Sequence, residues 1–444
     1  MDEQPIPRII PRHQHPLSRN RIDPDALKVL YRLHHHGFAA YLVGGCVRDL
    51  LLGKTPKDFD VATDAHPRQI RELFRNSRLI GRRFRLAQVY FKGGKIIEVS
   101  TFRRRSEFED QREEGWPPSE NTFGTPVEDA FRRDITINGI FYNIADFSIV
   151  DYVGGLDDLR QGVIRCIGDP GEKFLHDPVR MIRVIRHAAR TGFTIEEKTY
   201  RSLIGHVERL GLCPPARVRD EFLRELREGS AKESMTLMIQ TGMLFVLFPL
   251  FRRLLNEGGQ RNYFLKIVGT LDRLCLSGNK LAEEFCLSLF LSPLFRAYCP
   301  VDDFPPGRKG QTSFHQRVRE WLREILGPLQ FTRHTKEAAF HLLSSQRIFR
   351  EFLPERRLPL RFTRKPYFSQ ARLLFEIEAR ARGQEPEGLN RQVEERKPLR
   401  RKKKRRLRRK KKLFSFSAQS PGENQKENLS PWPAAEKLSQ RLNP

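Results

Sequence analysis

Asp58 and Asp60 stand two residues apart in KDFDV (57–61). On an extended strand that spacing puts both carboxylates on one face and Phe59 on the other. Carboxylates so placed can share one or two Mg²⁺ ions, hard cations that keep coordination places open for phosphate oxygens. Alone the pair says little: with 54 acids in 444 residues, about six acid-x-acid triplets arise by chance, and most face solvent. Position is what lifts it. Thirteen residues upstream, the apolar run YLVGG (41–45) ends in Gly44-Gly45, where the backbone can approach a ligand that a Cβ would exclude, and a short helix from Cys46 would present free N–H groups to an anion. Arg48 adds positive charge there, with Asp49 able to orient it. The stretch 41–61 thus offers a phosphate turn and an acid pair together, the two halves of a phosphoryl-transfer site.

Further candidates follow. Glu98 interrupts the otherwise apolar strand KIIEVST (95–101), where a carboxylate needs a partner or a metal unless the strand is an edge facing water. EDAFRRDITING (128–139) carries Arg132 and Arg133, which could clamp a triphosphate, and Asp134, which could bond a ribose hydroxyl or complete the metal shell. The same stretch also reads as an ordinary solvated helix face. In HDPVRMIRVIRHAAR (176–190), Asp177, Arg180, Arg183 and Arg186 recur every third residue along one helix face, with Arg190 four further on. An Asp beside an Arg can read the Watson–Crick edge of adenine; Asp177-Pro178 equally makes a helix N-cap with proline at the first helical position.

The elements that must position these groups change along the chain. Residues 1–22 are proline-rich and read as a mobile arm. Helix starts at Asp23-Pro24 and ends at Gly37, after which short strands and helices alternate: strands at 38–43, 58–61, 85–91, 95–101, 137–144 and 148–150, helices at 46–52 and 67–76. The charge-dense segment 102–126 reads as a loop over a site. From Gly168 onward the pattern is helical, giving an α+β chain with a catalytic head at 23–168, a neck at 169–230 and a body at 231–383. LRFTRKPYFSQARLLF (360–375) interleaves aromatic and basic residues, for RNA or for packing.

Composition bounds the partner. The net charge of +27 and pI near 10.2 point to a polyanion, and 14 of the 17 residues at 396–412 are basic. That run, with Arg400, Arg401, Lys402, Lys403, Lys404, Arg405 and Arg406 at its centre, lies in a polar segment, 384–444, that reads as a disordered RNA-binding tail. No apolar run reaches the ~18 residues of a membrane span, and the N-terminus lacks a signal peptide's apolar core, so a cytoplasmic protein is expected. The six cysteines show no zinc-ligand spacing and read as buried reduced thiols.

These motifs in this order resemble the bacterial poly(A) polymerase and CCA-adding tRNA nucleotidyltransferase family: LVGGCVRDLLLG with DFDV, RRDITIN, the hinge DYVGGLDDL (151–159) and DPVRMIRVIRHAAR. The resemblance covers residues 23–230. It implies a small mixed-sheet, polymerase-β-like nucleotidyltransferase head followed by helical neck and body domains. It also implies a two-Mg²⁺ reaction in which Asp58 and Asp60 hold the metals, Glu98 or Asp134 completes the acidic set, Gly44, Gly45 and Arg48 cradle ATP with help from Arg132 and Arg133, and Asp177 with Arg180 reads the base. Arg183, Arg186 and Arg190 are expected on RNA. LIGRRFRLAQV (79–89) and the basic tail are similar to features of the poly(A) polymerases, which favours addition of AMP to RNA 3′ ends over CCA addition. Cys46 departs from the small residue, such as Gly or Ala, usual in the family, and His176 from the Glu usual in its CCA-adding members. A catalytically silent RNA-binding adaptor is the remaining alternative.

Overall fold

A computed structural model describes residues 6–81, 86–104, 123–278, 280–352 and 358–384. Eight strands form one mixed sheet: β1 (Arg8–Ile10), β2 (Ala40–Val43), β3 (Asp60–Thr63), β4 (Ser77–Ile80), β5 (Leu86–Tyr90), β6 (Ile96–Thr101), β7 (Ile140–Asn143) and β8 (Ile149–Asp151). Their spatial order is β1-β8-β7-β2-β3-β6-β5-β4. Neighbours run antiparallel except β3 and β6, which are parallel in the register Asp60 opposite Glu98 and Val61 opposite Val99. A parallel pair needs a crossover; here it is the helix Pro67–Leu73 together with the β4–β5 hairpin.

Local chemistry explains the elements that frame the site. Helix α1 (Pro24–His35) is capped by Asp23, whose side chain accepts from the Asp25 and Ala26 amides, and Ala26, Val29, Leu30 and Leu33 form its buried stripe. Helix α2 (Gly45–Leu51) follows β2 directly. After α3 (Pro67–Leu73), helix α4 (Pro126–Arg132) begins in a capping box between Thr125 and Glu128. Its Ala130 joins Val43, Ala62, Phe102, Phe141 and Val150 in a core cluster of the sheet. Helix α5 (Gly155–Gln161) starts against Asp151, which accepts from the amides of Val153, Gly155 and Leu156. Gly155 is required here, since a Cβ would fall on the Thr136 carbonyl.

Beyond α5 the described strands are a two-residue parallel ribbon, Val163–Ile164 with Thr194–Ile195, and helices take over. These are α6 (Pro170–His176), α7 (Arg180–Thr191), α8 (Glu197–His206) and α9 (Pro215–Glu225), then the longer body helices. In the body, Glu283–Tyr298 is the central helix, buried from Phe285 to Phe295. Its Phe290 meets the rings of Phe222, Phe248, Phe251 and Phe264 at centroid distances of 5.1, 5.2, 5.0 and 5.7 Å. The aromatic residues of 360–375 pack: Phe362, Phe368 and Phe375 surround Phe349.

Several expectations change. Residues 6–22 are folded rather than a mobile arm: β1 pairs with β8, Arg8 meets Asp157 at 2.9 Å, and Leu17 is buried. The prolines at 7 and 11 flank the strand instead of preventing it. The expected helix at 176–190 is two helices, because Asp177 leaves helical geometry (φ −142, ψ 86) ahead of Pro178, as a residue preceding proline tends to. The N-cap at the start of α6 is Asp169, accepting from the Glu172 amide at 3.1 Å. The segment expected at 137–144 as one strand opens as a 3₁₀ turn, Thr136–Asn138, before β7.

Candidate functional site

The strand carrying the acid pair begins at Asp60, so Asp58 lies in the segment just before it and is exposed, while Phe59 is buried at 8% exposure. Asp60 sits in register with Glu98 on the neighbouring parallel strand, where alternation turns Ile97 and Val99 into the core and leaves Glu98 half-buried on the other face. The Gln88 amide donates to Glu98 Oε1 at 3.1 Å. Burial, then repulsion from Glu98 and from Asp58, pushes the Asp60 carboxyl up to about 6, with Arg133 alone pulling it down. Glu98 and, more weakly, Asp58 thus place negative charge near Asp60 that Arg133 balances only in part. Among the described residues no three His, Cys, Asp or Glu side chains converge into a complete metal cage. Asp58 and Asp60 leave two carboxylates close in sequence at the start of β3, next to the Gly44 turn.

The Gly-Gly turn borders these acids. Gly44 takes φ 76, ψ −142, and a Cβ on it would come within 3.3 Å of Arg133 Nη1 and 3.8 Å of Asp60 Oδ2. Arg133 itself is held by Asp129, buried on α4, at 2.8 Å, and lies over the Phe141 ring at 5.2 Å. Asp129 also holds Arg132, at 3.3 Å. Sequence reasoning did not single out Asp129, although its spacing of three and four residues from the two arginines on one helix was the available signal.

Arg48, expected to offer its guanidinium to phosphate, is fully buried instead. It donates to Asp49 Oδ1 through Nε and Nη2 at 2.9 and 2.8 Å, and to Asn138 Oδ1 at 2.7 Å, with His187 Nδ1 at 3.4 Å. It backs the turn from inside: a Cβ on Gly45 would lie 3.4 Å from its Nη2. Cys46 points inward, donating to the Val43 carbonyl at 3.1 Å, and burial, with Asp60 nearby, pushes its thiol up to about 12. The departure at this position therefore adds no reactive group.

Asp134 does not join the acids. It pairs with Arg180 at 3.2 Å and Arg183 at 2.9 Å, which leaves Glu98 as the third carboxylate beside Asp60. The arginine face of α7, expected on RNA, is consumed internally. Arg183 also meets Glu221 at 3.0 Å, Arg186 is buried against Glu225 at 2.7 Å and against Glu221, and Arg190 holds Asp49 at 3.0 Å. Burial works against the Arg183 charge, yet Asp134 and Glu221 raise its proton affinity above the ordinary value. The ladder ties the head, through Asp49 and Asp134, to α9. Sequence reading placed these arginines on one face correctly; it lacked their partners, Glu221 and Glu225, which sit on a different helix.

Asp177 and Arg180 form the remaining pair. Arg217 of α9 holds Asp177 Oδ2 at 3.0 Å, and Arg180 Nε lies 3.7 Å from the same oxygen. Asp177 Oδ1 and Arg180 Nε are both buried atoms with no hydrogen-bond partner among the described residues. One unused acceptor beside one unused donor is the complement of an adenine amino group and ring nitrogen. The tail cations 400–406 and the centre of 79–89 lie outside the described residues. No helix of the described residues is long and apolar enough to cross a membrane.

Known proteins share this organisation. Residues 40–165 match the model of the Poly A polymerase head domain, and residues 192–255 that of a "Probable RNA and SrmB-binding site of polymerase A". Poly(A) polymerase I of Escherichia coli O6:H1 is 48% identical over 263 residues, 58% of this chain and 56% of that protein. A CCA-adding enzyme of Geobacillus sp. is 35% identical over 262 residues, 56% of this chain and 63% of that protein. The chain thus spans about half the length of the curated relatives it matches. The crystal structure of the Bacillus stearothermophilus CCA-adding enzyme in complex with CTP shares the fold, at a TM-score of 0.59 and 24% identity, over 82% of this chain and 80% of that one. Over residues 40–165 and 192–255 the chain is thus similar to the head and RNA-binding domains of bacterial poly(A) polymerases, and over about half its length to CCA-adding enzymes as well.

Proposed function

We propose that the chain is a template-independent poly(A) polymerase, a polynucleotide adenylyltransferase that adds AMP from ATP to RNA 3′ ends and releases pyrophosphate. The observation that carries the chemistry is Asp60 in register with Glu98, its carboxyl pushed up to about 6 by burial and by two neighbouring acids, beside a Gly44 turn overlain by Arg133. Asp58 and Asp60 would hold Mg²⁺, which when bound lowers the pKa of the RNA 3′-hydroxyl and neutralises charge on the triphosphate. Glu98, oriented by Gln88, completes the acidic set. The backbone of Gly44 and Gly45, with Arg133 and Arg132 fixed by Asp129, receives the triphosphate, while buried Arg48 positions the turn from behind. Asp177 Oδ1 accepts from the adenine amino group and Arg180 Nε donates to the ring nitrogen; Asp134 keeps Arg180 in place. The head, neck and body boundaries at 168, 230 and 383 fit this division of labour.

The tail cations Arg400, Arg401, Lys402, Lys403, Lys404, Arg405 and Arg406 bind RNA without sequence preference, which makes affinity fall steeply with salt. A cytoplasmic location is the reading that ATP and RNA as substrates support. Similarity to CCA-adding enzymes favours one second reading, addition of CMP and AMP to tRNA ends. Incorporation of each labelled NTP on generic RNA and on tRNA lacking CCA separates the two: AMP runs on both substrates support the proposal, and CTP use with a stop after the CCA end replaces it. Salt-sensitive RNA binding with no incorporation of any NTP would leave only an adaptor.

A further inference from the structure

A cavity of about 590 Å³, a size in the range of small-ligand sites, opens beside Asp58. Its walls come from three places: residues 20–24 ahead of the head domain, the 55–59 segment that delivers Asp58, and residues 94–97 at the start of β6. The first wall exists because the N-terminal segment is pinned to the sheet by β1 and because Arg21 donates to the Leu50 and Lys54 carbonyls at 3.5 and 3.2 Å. Lys95 in this cavity is neutralised by Asp23 and Asp25. Arg21 and Lys57 are exposed and carry no ion-pair partner among the described residues. Ile96 is 40% exposed. The cavity thus combines two cations that no carboxylate neutralises among the described residues, Arg21 held on backbone carbonyls and Lys57, with an open apolar surface and the Asp58 carboxylate.

In-line displacement sets the attacking oxygen opposite the leaving pyrophosphate, so two substrates need separate walls around shared carboxylates. Gly44, Gly45 and Arg133 do not line this cavity, whereas Arg133 and Asp60 border the Gly44 turn. We infer that the cavity seats the 3′-terminal nucleotide of the RNA, its ribose hydroxyl toward Asp58, its base over Ile96 and its backbone phosphate on Arg21 and Lys57. The inference rests on the polymerase reading above. It assigns a substrate site to the N-terminal segment, which precedes the matched head domain.

Two measurements on the full chain test it. A short oligo(A) ending in 4-thiouridine, photo-crosslinked in EDTA so that no chemistry is needed, should attach within residues 20–24, 55–59 or 94–97; attachment elsewhere overturns the site. Lys57→Glu, at an exposed position, should raise KM for oligo(A) about fivefold to tenfold and lower the salt dependence of RNA use, with KM for ATP within about twofold of the parent chain. A rise in KM for ATP with KM for RNA unchanged would give the cavity to the nucleotide triphosphate and refute the inference. Crosslinking at these residues by a chain that incorporates no NTP would sink the polymerase reading while leaving the RNA-end site standing.

Discussion

Replacing Asp60 with Asn should abolish activity and at the same time make the protein more stable. Asp60 is half-buried and faces Glu98 and Asp58, so its folded carboxyl titrates at about 6, well above the ordinary carboxylate value. At about 1.4 kcal/mol per tenfold in proton affinity, that displacement corresponds to about 3 kcal/mol, and partial solvent screening brings it to about 1–2 kcal/mol. The sign follows from a raised folded pKa: the native state binds the proton more tightly than the unfolded chain, so stability is highest below the ordinary carboxylate value and declines as pH rises toward about 6. Above that point the ionised side chain carries the whole penalty, which the neutral, nearly isosteric Asn removes. Urea unfolding near pH 8 in EDTA should therefore place Asp60→Asn about 1–2 kcal/mol above the parent chain, a difference that vanishes near pH 4. Millimolar Mg²⁺ should stabilise the parent and leave the variant unmoved. Nucleotidyl transfer should fall at least about a thousandfold. A variant no more stable than the parent near pH 8, or one with the same Mg²⁺ response, would refute the crowded-carboxylate reasoning.

Other expectations follow from packing and from the base-reading pair. Arg186→Met leaves the fully buried Glu225 with Ser234 as its remaining side-chain partner and should destabilise the fold by about 3 kcal/mol in urea unfolding; RNA affinity at fixed salt should hardly change, because Arg186 is internal. Gly155→Ala drives a Cβ onto the Thr136 carbonyl and should lower stability by about 1–3 kcal/mol or more, seen as a fall in Tm. Asp177→Ala removes the unused acceptor oxygen and should reduce discrimination for ATP against CTP about tenfold or more in competitive incorporation, with a small effect on melting.

The signals the sequence carried well were local ones. The Gly44-Gly45 turn, the cap of α1 and the intrusion of Glu98 into an apolar strand are set by neighbours a few residues away, and each is found where spacing put it. What escaped depends on distant partners. Arg48 looked like a phosphate ligand because its side chain is next to the turn; that it is buried depends on Asn138 and His187, 90 and 139 residues on. Asp134 looked like a metal ligand until α7 supplied two guanidinium groups to it. The α7 arginines looked solvent-facing because amphipathicity shows a polar face without showing whether another polar face, here that of Glu221 and Glu225, covers it. Residues 6–22 lack periodicity, yet they complete the sheet by pairing with β8, more than a hundred residues away in sequence, a contact no local pattern encodes.

The most direct test of the account is nucleotide incorporation by the full chain with Mg²⁺, using generic RNA and each of the four NTPs in turn. Processive or distributive runs of AMP from ATP, with CTP poorly used, and loss of all incorporation in Asp60→Asn are the predicted result. Efficient CTP use ending at a CCA terminus, or ATP incorporation that survives Asp60→Asn, would contradict it.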